Sequence, residues 1–441
     1  MMNKNKISRR NFIKNSSVTA IGAGIATNLS IASNIEDENI NNQKIKEYRV
    51  FGRTGFKVSD ISSGNPSNEN ILRELLKNGV NLIDTGETYA NGNSEILIGK
   101  VLKDFNRSKI FINSKLYTEK EFPSKKDVLE RTYKCLERLE TDYVDCMQIH
   151  SAENSAILKD EAFHGAMEQL KKEGKVRYIG VSCHGSNWAY NTEESMDKIL
   201  LSAIDDGRFD VFLMAYNFVN ADIAEKVLEE CDKHNIATII MKSNPVYIYG
   251  LLENRINNLL EKGEEADEYT RDFYDKYKMM QENALIYFGE YGITGEKEIM
   301  EAASKFVLSN QKAHTTAWDF RNFDDLELML NLSGKKLTIK DEQVLEGYHK
   351  YFGKFSCRIG CNDCQSACPE HLPVNKILRY NYYYTAKRQE KRAITKFNKL
   401  KSNKPSDVCT NCEGYCEKAC KYEVFTRPLL AMAQNNMEFK V

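Results

Sequence analysis

Four residues able to move a proton to or from an oxygen stand at or just after the ends of short apolar runs: Asp84, Tyr89, Lys115 and His150. Turning a carbonyl into an alcohol needs an acid that meets the developing alkoxide. A phenol such as Tyr89 has an ordinary pKa of about 10, so near neutral pH it is a poor acid unless its anion is favoured. An ammonium beside it, Lys115, favours that anion, and each tenfold gain in acidity corresponds to about 1.4 kcal/mol. A buried ammonium needs a counter-charge in turn, and Asp84 is the candidate. His150 can donate a hydrogen bond that orients the substrate oxygen and shares its charge. Singly, each has an ordinary structural explanation: a helix-capping Asp, a packed Tyr, a solvated Lys, a core His. Their joint placement at successive strand ends favours chemistry.

The elements that must position them repeat as a short apolar strand followed by an amphipathic helix. Strands are expected at 59–64, 81–85, 109–116, 143–150, 176–183, 211–217, 237–243 and 314–319. Between them, Leu129, Thr132, Tyr133, Leu136 and Leu139 follow the helical period, as do Ala224, Val227, Leu228 and Cys231. Alternating strands and helices imply a parallel sheet, and eight such units predict an α/β fold, a closed (β/α)₈ TIM barrel over 48–338. A strip at 49–57 with Gly52 and Gly55 predicts a hairpin closing the barrel bottom. The helical insertion at 246–297 follows the seventh strand and is expected over the mouth as a lid. Barrel enzymes keep their chemistry at the C-terminal ends of the strands. Asp84, Lys115, His150 and Ser182 end the second to fifth.

These residues and their flanks carry a resemblance. Gly-Val-Asn-Leu-Ile-Asp-Thr-Gly-Glu-Thr-Tyr ending at Tyr89, Asn-Ser-Lys at Lys115, Asp-Tyr-Val-Asp-Cys-Met-Gln-Ile-His at His150 and Gly-Lys-Val-Arg-Tyr-Ile-Gly-Val-Ser at Ser182 resemble the aldo-keto reductases. The resemblance implies a carbonyl or alcohol substrate, with Tyr89, Lys115, Asp84 and His150 catalytic. It also implies an NADP(H) site in which the strand-five Ser and its successor bind the nicotinamide carboxamide, helped by a Gln on strand six. Here Ser182 is followed by Cys183 and His184, and the Gln position falls on Leu213. Tyr216 and Lys242, near the ends of the next two strands, complete the candidate cofactor side. The phosphate-binding turn after strand eight is replaced by Trp318 and Asp319, leaving Arg321 as a phosphate ligand among the repelling Asp324 and Asp325. NADP(H) binding is therefore expected to be weakened, altered or lost.

After a helical connector at 339–356, eight cysteines crowd into 357–430: Cys357, Cys361, Cys364 and Cys368 before Pro369, then Cys409, Cys412, Cys416 and Cys420. Such ladders resemble bacterial [4Fe–4S] ferredoxin modules and imply two clusters. By the crossing rule of that family, Cys420 would join Cys357, Cys361 and Cys364, and Cys368 would join Cys409, Cys412 and Cys416. Two gaps are one residue longer than usual and Lys421 replaces a Pro, so the allocation stays open. Cys₄ zinc and disulfides are the rival chemistries. A basic stretch between the runs, including Lys376, Arg379, Arg392 and Lys396, reads as a solvated helix face, or more sharply as a docking surface for an acidic redox partner. Cys135, Cys146 and Cys231 read as buried apolar residues and Cys183 as a pocket residue.

The 441 residues, 41% hydrophobic, suffice for two or three domains with a sizeable core. A net charge of -1 gives no global argument for nucleic acid or an acidic membrane. Ser8-Arg9-Arg10-Asn11-Phe12-Ile13-Lys14 and the Gly/Ala-rich run after it resemble a twin-arginine export signal over 1–34, with a polar linker at 35–47. The run is too short and polar for a confident membrane span, so the membrane enters only through export to the periplasm. The expected protein is an exported carbonyl–alcohol oxidoreductase exchanging electrons with a redox partner through its clusters. Two alternatives stand: an NADPH-dependent reductase with structural or regulatory clusters, and a non-catalytic electron-transfer protein on a degenerate barrel.

Overall fold

The computed structural model describes residues 45–118, 120–185, 194–245, 268–293, 295–385, 389–400, 409 and 412–437. The leader and most of the linker lie outside the described residues, as does 246–267 of the insertion. A hairpin of β1 (Tyr48–Val50) and β2 (Lys57–Ser59) precedes eight parallel strands: β3 (Ile61–Gly64), β4 (Leu82–Asp84), β5 (Phe111–Tyr117), β6 (Val144–Ala152), β7 (Val176–Cys183), β8 (Val211–Ala215), β9 (Ala237–Met241) and β10 (Thr315–Trp318). β10 pairs with both β9 and β3, which closes the barrel.

Side chains alternate across each strand, as the period of two requires. Leu82, Phe111, Cys146, Val211, Leu213, Ala237 and Ile239 cluster with Phe51 and Val58 of the hairpin in the lower interior. Ile83, Ile112, Met147, Ile149, Val181, Phe212, Met214 and Ile240 pack outward against the helices. The hairpin can seat itself because Gly52 has φ +49°, and a Cβ there would lie 2.4 Å from the Ala237 nitrogen. Helices start where side chains satisfy free backbone N–H groups. Asn68 caps α1 (Glu69–Lys77) and Ser124 caps the helix Lys125–Leu139.

Of the insertion, 246–267 lie outside the described residues, and its described helix, Glu268–Glu290, lies against the connector helix Ile339–Phe352. The Tyr287 hydroxyl donates to the Gln343 carbonyl at 3.0 Å. Gly347 is needed there, since a Cβ would meet the Tyr287 ring at 2.2 Å. A capping box of Thr338 and Asp341 starts the connector. The described tail is helical: α2 (Val374–Thr385), α3 (Glu390–Asn398), α4 (Tyr415–Lys418) and α5 (Thr426–Met437). Phe288, Tyr348, Leu378, Phe397 and Leu430 share one core with Cys364, Cys368, Cys409 and Cys416. The tail docks on barrel loops. The Met196 N–H donates to the Gly360 carbonyl at 2.8 Å, Asn220 Nδ2 to the Ile359 carbonyl at 3.1 Å, and the Tyr382 hydroxyl to the Asn244 carbonyl at 2.6 Å.

Candidate active site

The structure brings the four proton-handling residues together at the C-terminal end of the barrel. Lys115 is 0% exposed, and its Nζ lies 2.7 Å from Asp84 Oδ1. The same nitrogen donates to the Thr85 carbonyl and, at 3.2 Å, to the Tyr89 hydroxyl. Asn113 Nδ2 donates to Asp84 Oδ1 at 2.6 Å. Asn113 and Lys115 both face inward because they are two apart on β5, and β4 sets Asp84 opposite Asn113. His150 lies beside Tyr117 across the β5–β6 register and meets the Tyr89 ring edge-on, with centroids 5.6 Å apart.

Burial works against the Lys115 ammonium, but the Asp84 carboxylate and Tyr89 outweigh it and hold the amine above its ordinary pKa. Burial also raises the Asp84 carboxyl, opposed by Lys115. For Tyr89, burial is the larger effect: the phenol is raised, with Lys115 pulling it down and Asp84 pushing it up. The ammonium therefore limits a burial penalty rather than making Tyr89 a strong acid in the resting site. His150 is held well below its ordinary pKa by burial and then by Lys115, Lys396, Arg392 and Lys242, so its imidazole is neutral at pH 7. A neutral ring can donate one hydrogen bond to a substrate oxygen.

The candidate cofactor residues are dispersed. Ser182 Oγ accepts from the Ser151 N–H at 2.7 Å, which commits it to the strand end. Cys183 turns outward into the helix-facing core, a correction that period two requires once Ser182 faces in. Its Sγ donates to the Ala152 carbonyl at 3.3 Å, and burial pushes the thiol up to about 12. Tyr216 is also turned outward, its hydroxyl between Glu225 and Asn310 at 2.9 and 3.0 Å. Leu213 fills the interior where the resembled family places an amide. Arg321 is exposed and pairs with Asp319 at 3.6 Å. Lys242 does reach the mouth, 5.4 Å from the centre of the Tyr383 ring.

That ring comes from the tail, which the sequence reading leaves out of the site. α2 and α3 carry Arg379, Tyr383, Arg392 and Lys396 to the mouth, where they act on His150, His184 and Lys242. Arg379 and Tyr383 are four apart and share a helix face. That spacing is the signal that could have found them.

The eight tail cysteines are free thiols, as are the other four. Among the described residues no three His, Cys, Asp or Glu side chains are set to hold one metal ion. The thiols do influence one another, across both runs of cysteines. Burial and then Cys361 and Cys420 raise Cys357. Burial and then Cys357, Cys416, Cys420 and Cys361 raise Cys364. Burial raises Cys416, with Cys368 and Cys412 adding to it. Among the described residues, tail sulfurs accept hydrogen bonds: Cys357 from Asn375 Nδ2 at 3.3 Å, Cys361 from the Asp363 N–H, Cys412 from the Gly414 N–H at 3.4 Å, and Cys416 from the Thr426 hydroxyl at 3.3 Å.

Comparison with known proteins agrees with the barrel. The model of the aldo/keto reductase family matches residues 50–347. The aldo-keto reductase YhdN of Bacillus subtilis is 24% identical over 323 residues, covering 67% of this chain and 92% of that protein. The uncharacterised oxidoreductase YqkF of the same organism is 31% identical over 149 residues, covering 30% of this chain and 48% of its own length. Among solved structures, the holo form of aldo-keto reductase AKR11C1 from Bacillus halodurans aligns with 68% of this chain and 95% of its own, at 22% identity and a TM-score of 0.49.

Proposed function

Because the chain belongs to the aldo/keto reductase family, we propose that it interconverts a carbonyl and an alcohol at the Asp84–Lys115–Tyr89–His150 site, and exchanges electrons through two [4Fe–4S] clusters in its tail. The carrying observation is α2. Near its start Asn375 donates to Cys357 Sγ and to the Arg358 carbonyl. Eight residues on, a rise of about 12 Å, Tyr383 stands at the barrel mouth beside Lys242.

The residues present fit the clusters in their chemistry: eight thiols, several of which influence one another, and donors aimed at sulfur of the kind that tunes cluster potential. Cys416 acts on Cys364 as well as being acted on by Cys368 and Cys412, so the allocation of thiols to clusters stays open. When bound, such clusters supply one-electron storage, and two of them hold the pair of electrons that one carbonyl consumes. The residues present do not fit a nicotinamide carboxamide, since Ser182 is committed to backbone and Leu213 is apolar. The reduction takes two electrons and two protons: Tyr89 gives one proton to the substrate oxygen and a second, from solvent, completes the new C–H bond, while Lys115 steadies the phenolate left behind, Asp84 keeps that ammonium charged, and His150 orients the oxygen. The Arg9-Arg10 leader motif supports export by the twin-arginine route to the periplasm, where a partner protein would replace free NADPH as the electron source.

Anaerobic purification with iron and sulfide analysis, EPR and an NADPH titration on one sample tests this. About eight irons per chain and weakened or absent NADPH binding are expected. NADPH-driven turnover by cluster-free protein would favour the nicotinamide-dependent alternative. Turnover undiminished in Tyr89→Phe would remove the proposed chemistry.

A further inference from the structure

The barrel mouth carries more positive charge than the reaction needs. Lys242, Arg379 and Lys396 are half-buried and Arg392 stands at the rim. Among the described residues none of the four forms an ion pair with a carboxylate, and the Tyr383 phenol is the group that answers their charge. Lys242 lies beside Met241 Sδ and 5.4 Å from the centre of the Tyr383 ring. Arg392 Cζ lies 5.2 Å from the same ring centre, and Arg392 Nη1 donates to Gln389 Oε1 at 3.0 Å. Arg379 Nη1 reaches the His184 carbonyl at 3.5 Å, and Lys396 sits 6.0 Å from the Tyr380 ring centre. Beside them the Nδ1 atoms of His150 and His184 are buried and accept or donate no hydrogen bond among the described residues. Two acids act on neighbouring groups, Glu153 on Tyr380 and Cys183, and Glu194 on Cys183. Partly desolvated cations without a counter-ion are costly, and the cost is relieved when an anion enters. A guanidinium flanked by ammonium groups is suited to a carboxylate or phosphate.

We infer that this mouth selects substrates carrying an anionic group, a carboxylate or a phosphate, which Arg379, Lys242, Lys396 and Arg392 hold while the carbonyl lies against Tyr89 and His150. The Tyr383 phenol reports the local field. Its burial would raise it, yet Lys242, Arg379 and Arg392 bring it down to about 7, so the ring is the nearest thing to an internal anion. The tail thus has a second use: it roofs the site and supplies most of its recognition charge. The inference rests on Tyr89 as the proton donor in this mouth, but the recognition charge can be tested without turnover.

The test is equilibrium binding to the anaerobically purified full chain, with two matched pairs: pyruvate against pyruvamide, and dihydroxyacetone phosphate against dihydroxyacetone. At least one charged ketone is expected to bind tenfold or more tighter than its neutral partner. Which one does identifies the group as carboxylate or phosphate. Arg379→Gln and Lys242→Met should each remove most of that preference, and Tyr89→Phe should keep it while losing turnover. That last arm separates failure of the recognition from failure of the chemistry. Equal binding within both pairs, or no saturable binding by either charged ketone, overturns the inference. Two further outcomes also overturn it. If NADPH displaces the charged ketone and itself needs Arg379, the charge serves a nucleotide. If Arg379→Gln shifts a cluster potential and leaves the preference unchanged, the charge balances the clusters.

Discussion

Replacing Lys115 with methionine removes the ammonium that joins Tyr89 to Asp84. At the 3.2 Å separation of Lys115 Nζ and the Tyr89 hydroxyl, an effective dielectric of about 20 gives roughly 5 kcal/mol of attraction for the phenolate. Part of that is cancelled by Asp84, which raises the phenol. A fall in kcat of about a hundred- to ten-thousandfold follows, the usual worth of a positioned general acid. The substitution also strands the Asp84 carboxylate, and breaking a buried pair costs about 3–5 kcal/mol. Asp84→Asn with Lys115→Met removes both charges, so urea unfolding should show most of the stability restored while turnover stays lost. Because the Lys115 pKa is raised above 10.5, its contribution to stability is complete below that value and fades as pH climbs through the folded pKa. The methionine variant should lack this alkaline limb. A Lys115→Met protein with wild-type kcat, or a double variant that regains turnover along with stability, would refute the reasoning.

Acid should destabilise the barrel through His314, which burial and Arg49 push down to about 4 while its Nδ1 accepts from the Thr238 N–H at 3.2 Å. A depressed pKa contributes stability above the unfolded value of about 6.5 that is lost as pH falls toward 4, roughly 3 kcal/mol before solvent screening. His314→Gln should flatten that limb in urea titrations at stepped pH. Gly180→Ala should destabilise by about 1–3 kcal/mol or more, since its Cβ would lie 2.5 Å from the Val211 carbonyl oxygen and 2.8 Å from Gln148 Cγ. Its unfolding midpoint checks this. If the two proposed clusters have separate ligands, Cys357→Ser should cut bound iron to about half while leaving one EPR-active cluster. Iron unchanged in that variant would count against Cys357 as a ligand.

The barrel is legible in the sequence because its signal is local. Each strand is a short apolar run with a turn after it, and β7 has the expected bounds, Val176–Cys183. Asp84, Lys115 and His150 can be placed together because strand ends of a closed barrel share one rim. Assigning Tyr216 and Cys183 to the pocket goes against a rule the sequence already contains. With Leu213 and Ser182 facing in, the parity of each strand sends residues three and one places later to the other face. The roof is illegible for a different reason. Arg379 and Tyr383 form a recognisable stripe on α2, but what the stripe faces is fixed by contacts with Lys242 and His184, more than a hundred residues earlier in the chain. A solvated face and an active-site roof have the same local pattern. The seat of the insertion's described helix is illegible likewise: Tyr287 against Gly347 is a tertiary choice.

The central claim, that this tyrosine site and the tail cysteines form one redox path, meets its most direct test in a single turnover. The protein is reduced anaerobically, freed of excess reductant, and mixed with a charged ketone while the EPR signal is followed. Loss of the reduced-cluster signal, with one alcohol formed for each pair of electrons lost, is predicted for the wild type and not for Tyr89→Phe. A signal that persists while NADPH alone drives the reduction would contradict the account.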